Sequence, residues 1–237
     1  MAGRAERAAT ARAAAAATGA AAATTANAAP PYERLAGVDV LRVTDGSSLA
    51  LRDAWPADGR ALLVLARSFG CPFCQATARE LARDVLPRLG EINVQLIFVG
   101  IGTAERARDF AARTGLPEGV LYADPANAAY DALGLESSAA AAFLSPQTPL
   151  AIARRAARPG GWGDLAAMLR GWQPWQPPKG PVQALNQGGA YLFDGRECVW
   201  SHRDAATAAH AEPEEMLERA LGLAARAGAR GGDCGCE

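Results

Sequence analysis

The chain has 237 residues, half of them apolar, and a formal charge of −1, enough for one good-sized core with an appendage. Near-neutrality excludes partners drawn by a global basic field, and no local basic patch points to nucleic acid or an anionic membrane. The longest apolar runs, ALLVLA and VQLIFVGIG, are strand-sized and well short of the roughly 18 residues a membrane helix needs, so the expectation is a soluble protein with no membrane or nucleic-acid partner.

The first thirty residues hold 17 alanines, three arginines, four threonines and one acid, Glu6. A basic, hydroxyl-containing, acid-poor leader has the composition of an organelle transit peptide. Residues 1–30 are therefore expected to be a transit peptide, chloroplast (stroma) before mitochondrion. The alternatives are a disordered alanine-rich leader on a cytoplasmic protein and, behind it, a secretory signal with the cleavage-like Ala26-Asn27-Ala28 but no leucine in its apolar stretch.

Residues 31–228 read as one domain. VDVLRV (38 to 43) and SLAL (48 to 51) flank Asp45-Gly46, a pair suited to a tight hairpin turn. ALLVLAR (61 to 67) is a continuous apolar run, as a strand buried on both faces would be. A helix follows, with Leu81, Val85 and Leu89 on one face. INVQLIFVG (92 to 100) is a second such strand, Thr103 an N-cap for a helix to about Thr114, GVLYAD (119 to 124) a third strand and NAAYDALG a short helix. Strand alternating with helix means a parallel core. Residues 136–187 break this rhythm with alanine-rich pieces (149–157 and 163–171), Trp162, Trp172 and Trp175, and Pro174, Pro177, Pro178 and Pro181, and read as a helical insert. AYLF, Asp194-Gly195 and CVWSH then form a closing hairpin, and an amphipathic helix runs from Pro213 to about Ala227. Residues 229–237 are a glycine-rich, cysteine-containing tail.

Five cysteines at 71, 74, 198, 234 and 236 do not make a secreted disulfide framework. Cys71-Pro72-Phe73-Cys74 stands where a buried strand hands over to a helix. There the free N–H groups and the helix dipole favour a thiolate, and Pro72 suits the first helical turn. Two intervening residues bring Cys74 beneath Cys71, within disulfide reach. Arg67 either adds positive potential or is a solvated strand terminus. Zinc wants four ligands; here the second pair is Cys234-Gly235-Cys236, some 160 residues away, and the histidines are His202 and His210, so no metal site is expected. VGIGTAER imitates a dinucleotide fingerprint, but Glu105 occupies the third glycine position and no ribose-binding acid follows at the right spacing.

The order of these motifs resembles a thioredoxin-like fold of the peroxiredoxin type, with a central mixed sheet flanked by helices. LVLARSFGCPFCQATARELARD, NQGGAYLF and VWSHRDAATAAHAEPEEMLERAL are similar to the peroxiredoxin-like 2 family, the AhpC/TSA-type antioxidant proteins that include plant chloroplast members and the prostamide/prostaglandin F synthase branch. The resemblance covers about 32 to 226. It implies a thiol-dependent antioxidant oxidoreductase with Cys71 and Cys74 as the redox pair. It also implies a peroxide, oxidised small molecule or disulfide as substrate, no bound cofactor, and an external dithiol reductant of thioredoxin or glutathione type. A thioredoxin- or glutaredoxin-like disulfide reductase and a prostaglandin-endoperoxide reductase are alternatives within enzymes. Outside them stands a non-enzymatic redox-responsive binding module using the insert.

The chain also departs from the pattern. The Pro-x-x-x-Thr-x-x-Cys signature of peroxiredoxins is absent: Gly70-Cys71 stands where its threonine would be. Cys74 thus occupies the peroxidatic position and Cys71 the thioredoxin-type nucleophile position, and the attacking sulfur stays open. Gly188-Gly189 takes the place of the thioredoxin cis-proline, either for close substrate approach or for tight packing. Cys198 is read as a packed strand residue. His202 and Arg203, with Asp204, match the family's HRD, with fixing of the strand-to-helix turn set before a role in the site. Cys234 and Cys236 are either a thiol relay for the oxidised pair or an incidental metal-prone end.

Overall fold

The computed structural model describes residues 29–135, 147–157, 162–163, 166, 186–206 and 209–231. The leader, most of the 136–187 insert with its second helical piece, and the Cys234-Gly235-Cys236 tail lie outside the described residues.

A short helix α1 (Pro31–Arg34) leads into β1 (Asp39–Arg42) and β2 (Ser48–Ala50), then β3 (Arg60–Ala66), α2 (Pro72–Glu80) and α3 (Leu86–Glu91). These are followed by β4 (Val94–Gly100), α4 (Ala104–Thr114), β5 (Leu121–Ala123), α5 (Ala128–Leu133) and α6 (Gln147–Ala156). The chain closes with β6 (Gly189–Asp194), β7 (Glu197–Arg203) and α7 (Pro213–Gly231). Among the described residues, seven strands form one mixed sheet in the order β2-β1-β5-β4-β3-β6-β7. The centre, β5-β4-β3, is parallel, and β1 and β6 join it antiparallel.

Strand β3 is buried on both faces because each face carries its own core. Leu62, Val64 and Ala66 pack with Leu81, Val85 and Leu89, with Phe110 of α4 and with Met216, Ala220 and Leu223 of α7. Ala61, Leu63 and Leu65 pack on the opposite side with Tyr32, Trp55, Tyr130, Leu133 and Phe193. The period-two alternation of a strand thus feeds two apolar layers, one on each side of the sheet.

Three local features differ from the sequence expectation. The first hairpin has a longer loop than a two-residue turn: Arg42 N–H bonds Ser47 O, and Asp45 accepts from the Ser47 amide and hydroxyl. Val43 is fully buried and its N–H turns to Leu121 O, so it leaves the ladder and the loop widens. In the closing hairpin Asp194 still pairs with Glu197, so the turn falls on Gly195, at φ 59°, and Arg196.

The helix after the CPFC motif opens into a π-turn at Leu81–Val85, where the Leu86 N–H reaches Leu81 O, five residues back. Pro87 lacks an N–H and would clash with the carbonyl four residues earlier in a regular helix. The wide turn relieves that clash. It also keeps Leu81, Val85 and Leu89, spaced every four residues rather than 3.6, in one buried row. The capping expected of α4 is present: Thr103 accepts from Arg106 N–H at 3.3 Å, and Gly115 ends the helix at φ 76°.

Candidate active site

Cys71 is the N-cap residue of α2, with Pro72 in the first turn. The loop that delivers it, Ser68 to Cys71, is held at several points. Cys71 N–H bonds Ser68 O, Gln75 N–H bonds Cys71 O, and the buried Gln75 side chain donates to Phe69 O at 3.1 Å. Phe69 is buried edge-to-face on Phe110, 5.3 Å between centroids. Its ring occupies the space over Gly100 and Gly102, where a Cβ would meet it at 2.5 and 3.0 Å. The glycines of the fingerprint-like VGIG segment therefore make room for an anchor of the cysteine loop.

The two thiols differ in surroundings. Cys71 is half-buried, Cys74 is 1% exposed, and both are free. The Cys74 thiol hydrogen-bonds the Cys71 sulfur; that bond, opposed by burial and helped by His210 and the Arg67 charge, holds Cys71 well below the ordinary thiol range. Burial, then the bond and charge of Cys71, push Cys74 well above it. A helix N-terminus adds to the same preference for negative charge at Cys71.

Arg67 lies at the end of β3 and donates from Nε to Asn186 O at 3.1 Å, tying that strand to the segment entering β6. Gly188 and Gly189 lie where β6 meets β3 and β7. A Cβ at Gly188 would run into Leu65 O and come 2.7 Å from Asp204 Oδ2, and one at Gly189 would lie 2.8 Å from His202 O. Of the two readings of this pair, tight packing is the one with a geometric cause. His202 donates from Nε2 to Ala209 O at 3.0 Å and stands 3.5 Å from Asp204 Oδ1. Arg203 donates to Leu133 O at 3.0 Å and Gly134 O at 3.3 Å, binding the last carbonyls of α5. Cys198 bonds Trp200 O at 3.3 Å, and burial pushes its thiol up to about 11.

One residue entered the sequence reading only as a potential zinc ligand. His210 Nε2 lies 3.7 Å from Cys74 Sγ, while Nδ1 is hydrogen-bonded to Asp204. Asp204 is 2% exposed in its side chain, and its N–H bonds Gly188 O at 3.1 Å. Burial alone would lower the His210 pKa. The charge and hydrogen bond of Asp204, followed by those of Cys71, carry it up to about 10. Val64, Ala66, Cys74, Thr77, Asp204, His210 and Met216 are among the residues around a small cavity behind the motif. Among the described residues no group of three or more His, Cys, Asp or Glu is arranged to hold a metal, and no helix is long and apolar enough to cross a membrane.

Comparison with solved structures shows the same fold. The peroxiredoxin-like protein from Aquifex aeolicus superposes with a TM-score of 0.51 at 9% identity, over 78% of this chain and 82% of that one. The bacterioferritin comigratory protein of Xanthomonas campestris gives 0.51 at 11%, over 79% and 92%. In sequence, the chain is 34% identical over 119 residues to thioredoxin-like protein AAED1, chloroplastic, of Arabidopsis thaliana, covering 48% of this chain and 46% of that protein. It is 32% identical over 100 residues to prostamide/prostaglandin F synthase of Salmo salar, covering 42% and 48%. The chain thus spans about half the length of these two relatives. A profile of the AhpC/TSA antioxidant enzymes matches residues 80–206, a span that contains the Gly188-Gly189 pair and the His202-Arg203-Asp204 run but begins after Cys74 and ends before His210. With more than half of its length matched and a peroxiredoxin-type thioredoxin fold, the chain belongs to the AhpC/TSA antioxidant enzyme family.

Proposed function

We propose that this protein is a dithiol oxidoreductase in which Cys71 attacks a peroxide or another oxidised substrate and Cys74 resolves the product. The observation that carries this reading is the asymmetry of the pair: a half-buried N-cap thiol held toward thiolate, hydrogen-bonded by a fully buried thiol held protonated. Thiolate is the nucleophilic form, so Cys71 leads, as in the thioredoxin-type order rather than the peroxiredoxin-type one.

With a peroxide, the Cys71 sulfur attacks the nearer oxygen, the O–O bond breaks, and an alcohol or water leaves after taking a proton. Cys71 is then a sulfenic acid. The Cys74 sulfur attacks it, the S–S bond forms, the S–O bond breaks, and water leaves. With a disulfide substrate the first product is a mixed disulfide, which Cys74 displaces as a thiol. An external reductant of thioredoxin or glutathione type returns the pair to two thiols by exchange. The salmon relative is a prostamide/prostaglandin F synthase, so a lipid endoperoxide, which carries the same O–O bond, belongs among the substrates tested.

The test is turnover of hydrogen peroxide, an alkyl hydroperoxide, a lipid endoperoxide and a small disulfide with a thioredoxin recycling system, for wild type, Cys71→Ser and Cys74→Ser. Cys71→Ser abolishes the first oxidation step; Cys74→Ser retains one stoichiometric oxidation and loses turnover. Full activity in Cys71→Ser refutes the assignment. Import into the chloroplast stroma is part of the proposal, supported by the transit-like leader and by the chloroplastic relative from Arabidopsis.

A further inference from the structure

The cycle just proposed needs a proton to leave Cys74 inside the protein, because a buried thiol must become a thiolate before it can attack Cys71. We propose that His210, oriented by Asp204, is the catalytic acid and base that moves protons between substrate, Cys71 and Cys74. This inference rests on the dithiol reading above and adds to it a residue outside the motif.

The geometry is that of a relay. His210 Nδ1 is committed to Asp204, a carboxylate 2% exposed, so the Nδ1–H tautomer is fixed and Nε2 is the working nitrogen. Nε2 is within sulfur hydrogen-bond distance of Cys74 Sγ, at 3.7 Å, and the same ring acts on Cys71 through hydrogen bonding and charge. One imidazole thus contacts the Cys74 sulfur and bears on the charge at Cys71. The groups facing this centre are Asp204 and His202 from the end of β7, Cys71 and Cys74 from α2, Arg67 from the end of β3 and Tyr130 from α5. Of these, Asp204 holds the Nδ1 side of the ring.

Proton accounting closes over the cycle. At rest, Cys71 is thiolate, His210 is imidazolium and Cys74 is thiol. When Cys71 attacks a peroxide ROOH, the departing RO⁻ takes the Nε2 proton and leaves as ROH, and His210 becomes neutral. Neutral Nε2 then takes the Cys74 proton. The Cys74 thiolate displaces hydroxide from the Cys71 sulfenic acid, and the imidazolium returns the proton to that hydroxide as water. Two sulfurs are oxidised to a disulfide, the peroxide is reduced to ROH and water, and His210 ends neutral because the Cys71 negative charge it balanced has gone. For a disulfide substrate RSSR, the same transfers release two RSH.

The test is a single-turnover experiment on the full chain. One equivalent of hydrogen peroxide is added, and the rate of Cys71–Cys74 disulfide formation is followed by acid quench and peptide mapping from about pH 5 to 9. His210→Gln is expected to slow disulfide formation by about 10²-fold or more, the usual scale of lost acid-base catalysis. The remaining rate should rise with pH, because Cys74 must then ionise unaided, whereas the wild-type rate is flat over the middle of the range. Asp204→Asn, which removes the charge that orients His210, should change the profile the same way by a smaller factor. A His210→Gln rate and pH profile equal to wild type overturn the inference.

If wild type itself forms no Cys71–Cys74 disulfide, the dithiol reading has failed instead, and the two failures are distinct. Should His210→Gln not fold, the wild-type ring is titrated by NMR in the reduced and disulfide forms, the chain having two histidines. The His210 midpoint is expected to drop on oxidation as the Cys71 thiolate disappears, and an unchanged midpoint overturns the relay.

Discussion

Replacing Gly188 by alanine separates the two readings of the glycine pair. A Cβ there would overlap the main-chain oxygen of Leu65 and stand 2.7 Å from Asp204 Oδ2. Carbon contacts are ordinarily about 3.5–4.0 Å, so the carboxylate must retreat by at least about 0.8 Å. Leu65 cannot yield easily, since it pairs with Val99 of β4 on one side and with Gly189 of β6 on the other. Overpacking of this kind costs about 1–3 kcal/mol. At about 2–4 °C per kcal/mol for a chain of this size, Tm should fall by about 2–12 °C. A second effect goes beyond stability. Pushing Asp204 off His210 removes the larger support of the raised His210 pKa, and through it part of what holds Cys71 as thiolate. Gly188→Ala should therefore lower Tm in a thermal melt and move the Cys71 titration, read by thiolate absorbance near 240 nm, to higher pH. Gly189→Ala, whose clash is with His202 O at 2.8 Å, lowers Tm without pressing on Asp204 and serves as the comparison. An unchanged Tm together with an unchanged Cys71 titration in Gly188→Ala would refute the packing argument, leaving close substrate approach as the reason for the glycine.

Alkylation by iodoacetamide, mapped by cysteine-containing peptide, should label Cys71 well before Cys198 at pH 7. The Cys71 thiol is held well below the ordinary range, so its labelling rate should fall less steeply between pH 8.5 and 7 than that of an ordinary thiol, which loses about tenfold per pH unit over that window. Cys198, pushed up to about 11, is only ~10⁻⁴ thiolate at pH 7, and labelling it first would contradict the site. Mature protein recovered from chloroplasts should begin near residue 30, and recovery from the cytosol with the intact leader would remove the import proposal.

Much of the fold could be read because its signals are local. Leu62, Val64 and Ala66 alternate with Ala61, Leu63 and Leu65 within one short apolar run, and Thr103 and Gly115 bracket α4 by capping chemistry that needs no partner elsewhere. The π-turn was hidden because its cause is a conflict between Pro87 and a four-residue apolar spacing, each alone compatible with an ordinary helix. The wide loop after β1 was hidden because Val43 is drawn into the core and bonded to Leu121, 78 positions on in sequence. His210 shares that difficulty on a larger scale: it lies 136 positions from Cys74. Only the antiparallel register of β6 on β3 and β7 on β6, Leu65 with Gly189 and Gly189 with Arg203, brings Asp204 beside the end of β3 and, through it, the imidazole of His210 beside Cys74. A histidine shortly after HRD and just before an amphipathic helix was the available hint.

The CPFC motif is nearly symmetric on paper, which is why two redox orders fitted it. The fold removes the symmetry through burial. Cys74 faces Val64, Phe98 and Met216 in the core, so it stays protonated and has a proton to donate; Cys71, at the open end of the helix, receives that hydrogen bond. A single S–H···S contact thus acts in opposite directions on the two groups and drives their acidities apart, the separation by which two similar groups in one site take different roles. In the proposed cycle the division of labour depends on keeping Cys74 dry. The helix α7 residues Met216, Ala220 and Leu223, which share the buried cluster of Cys74, would on that reading serve the chemistry as well as the packing.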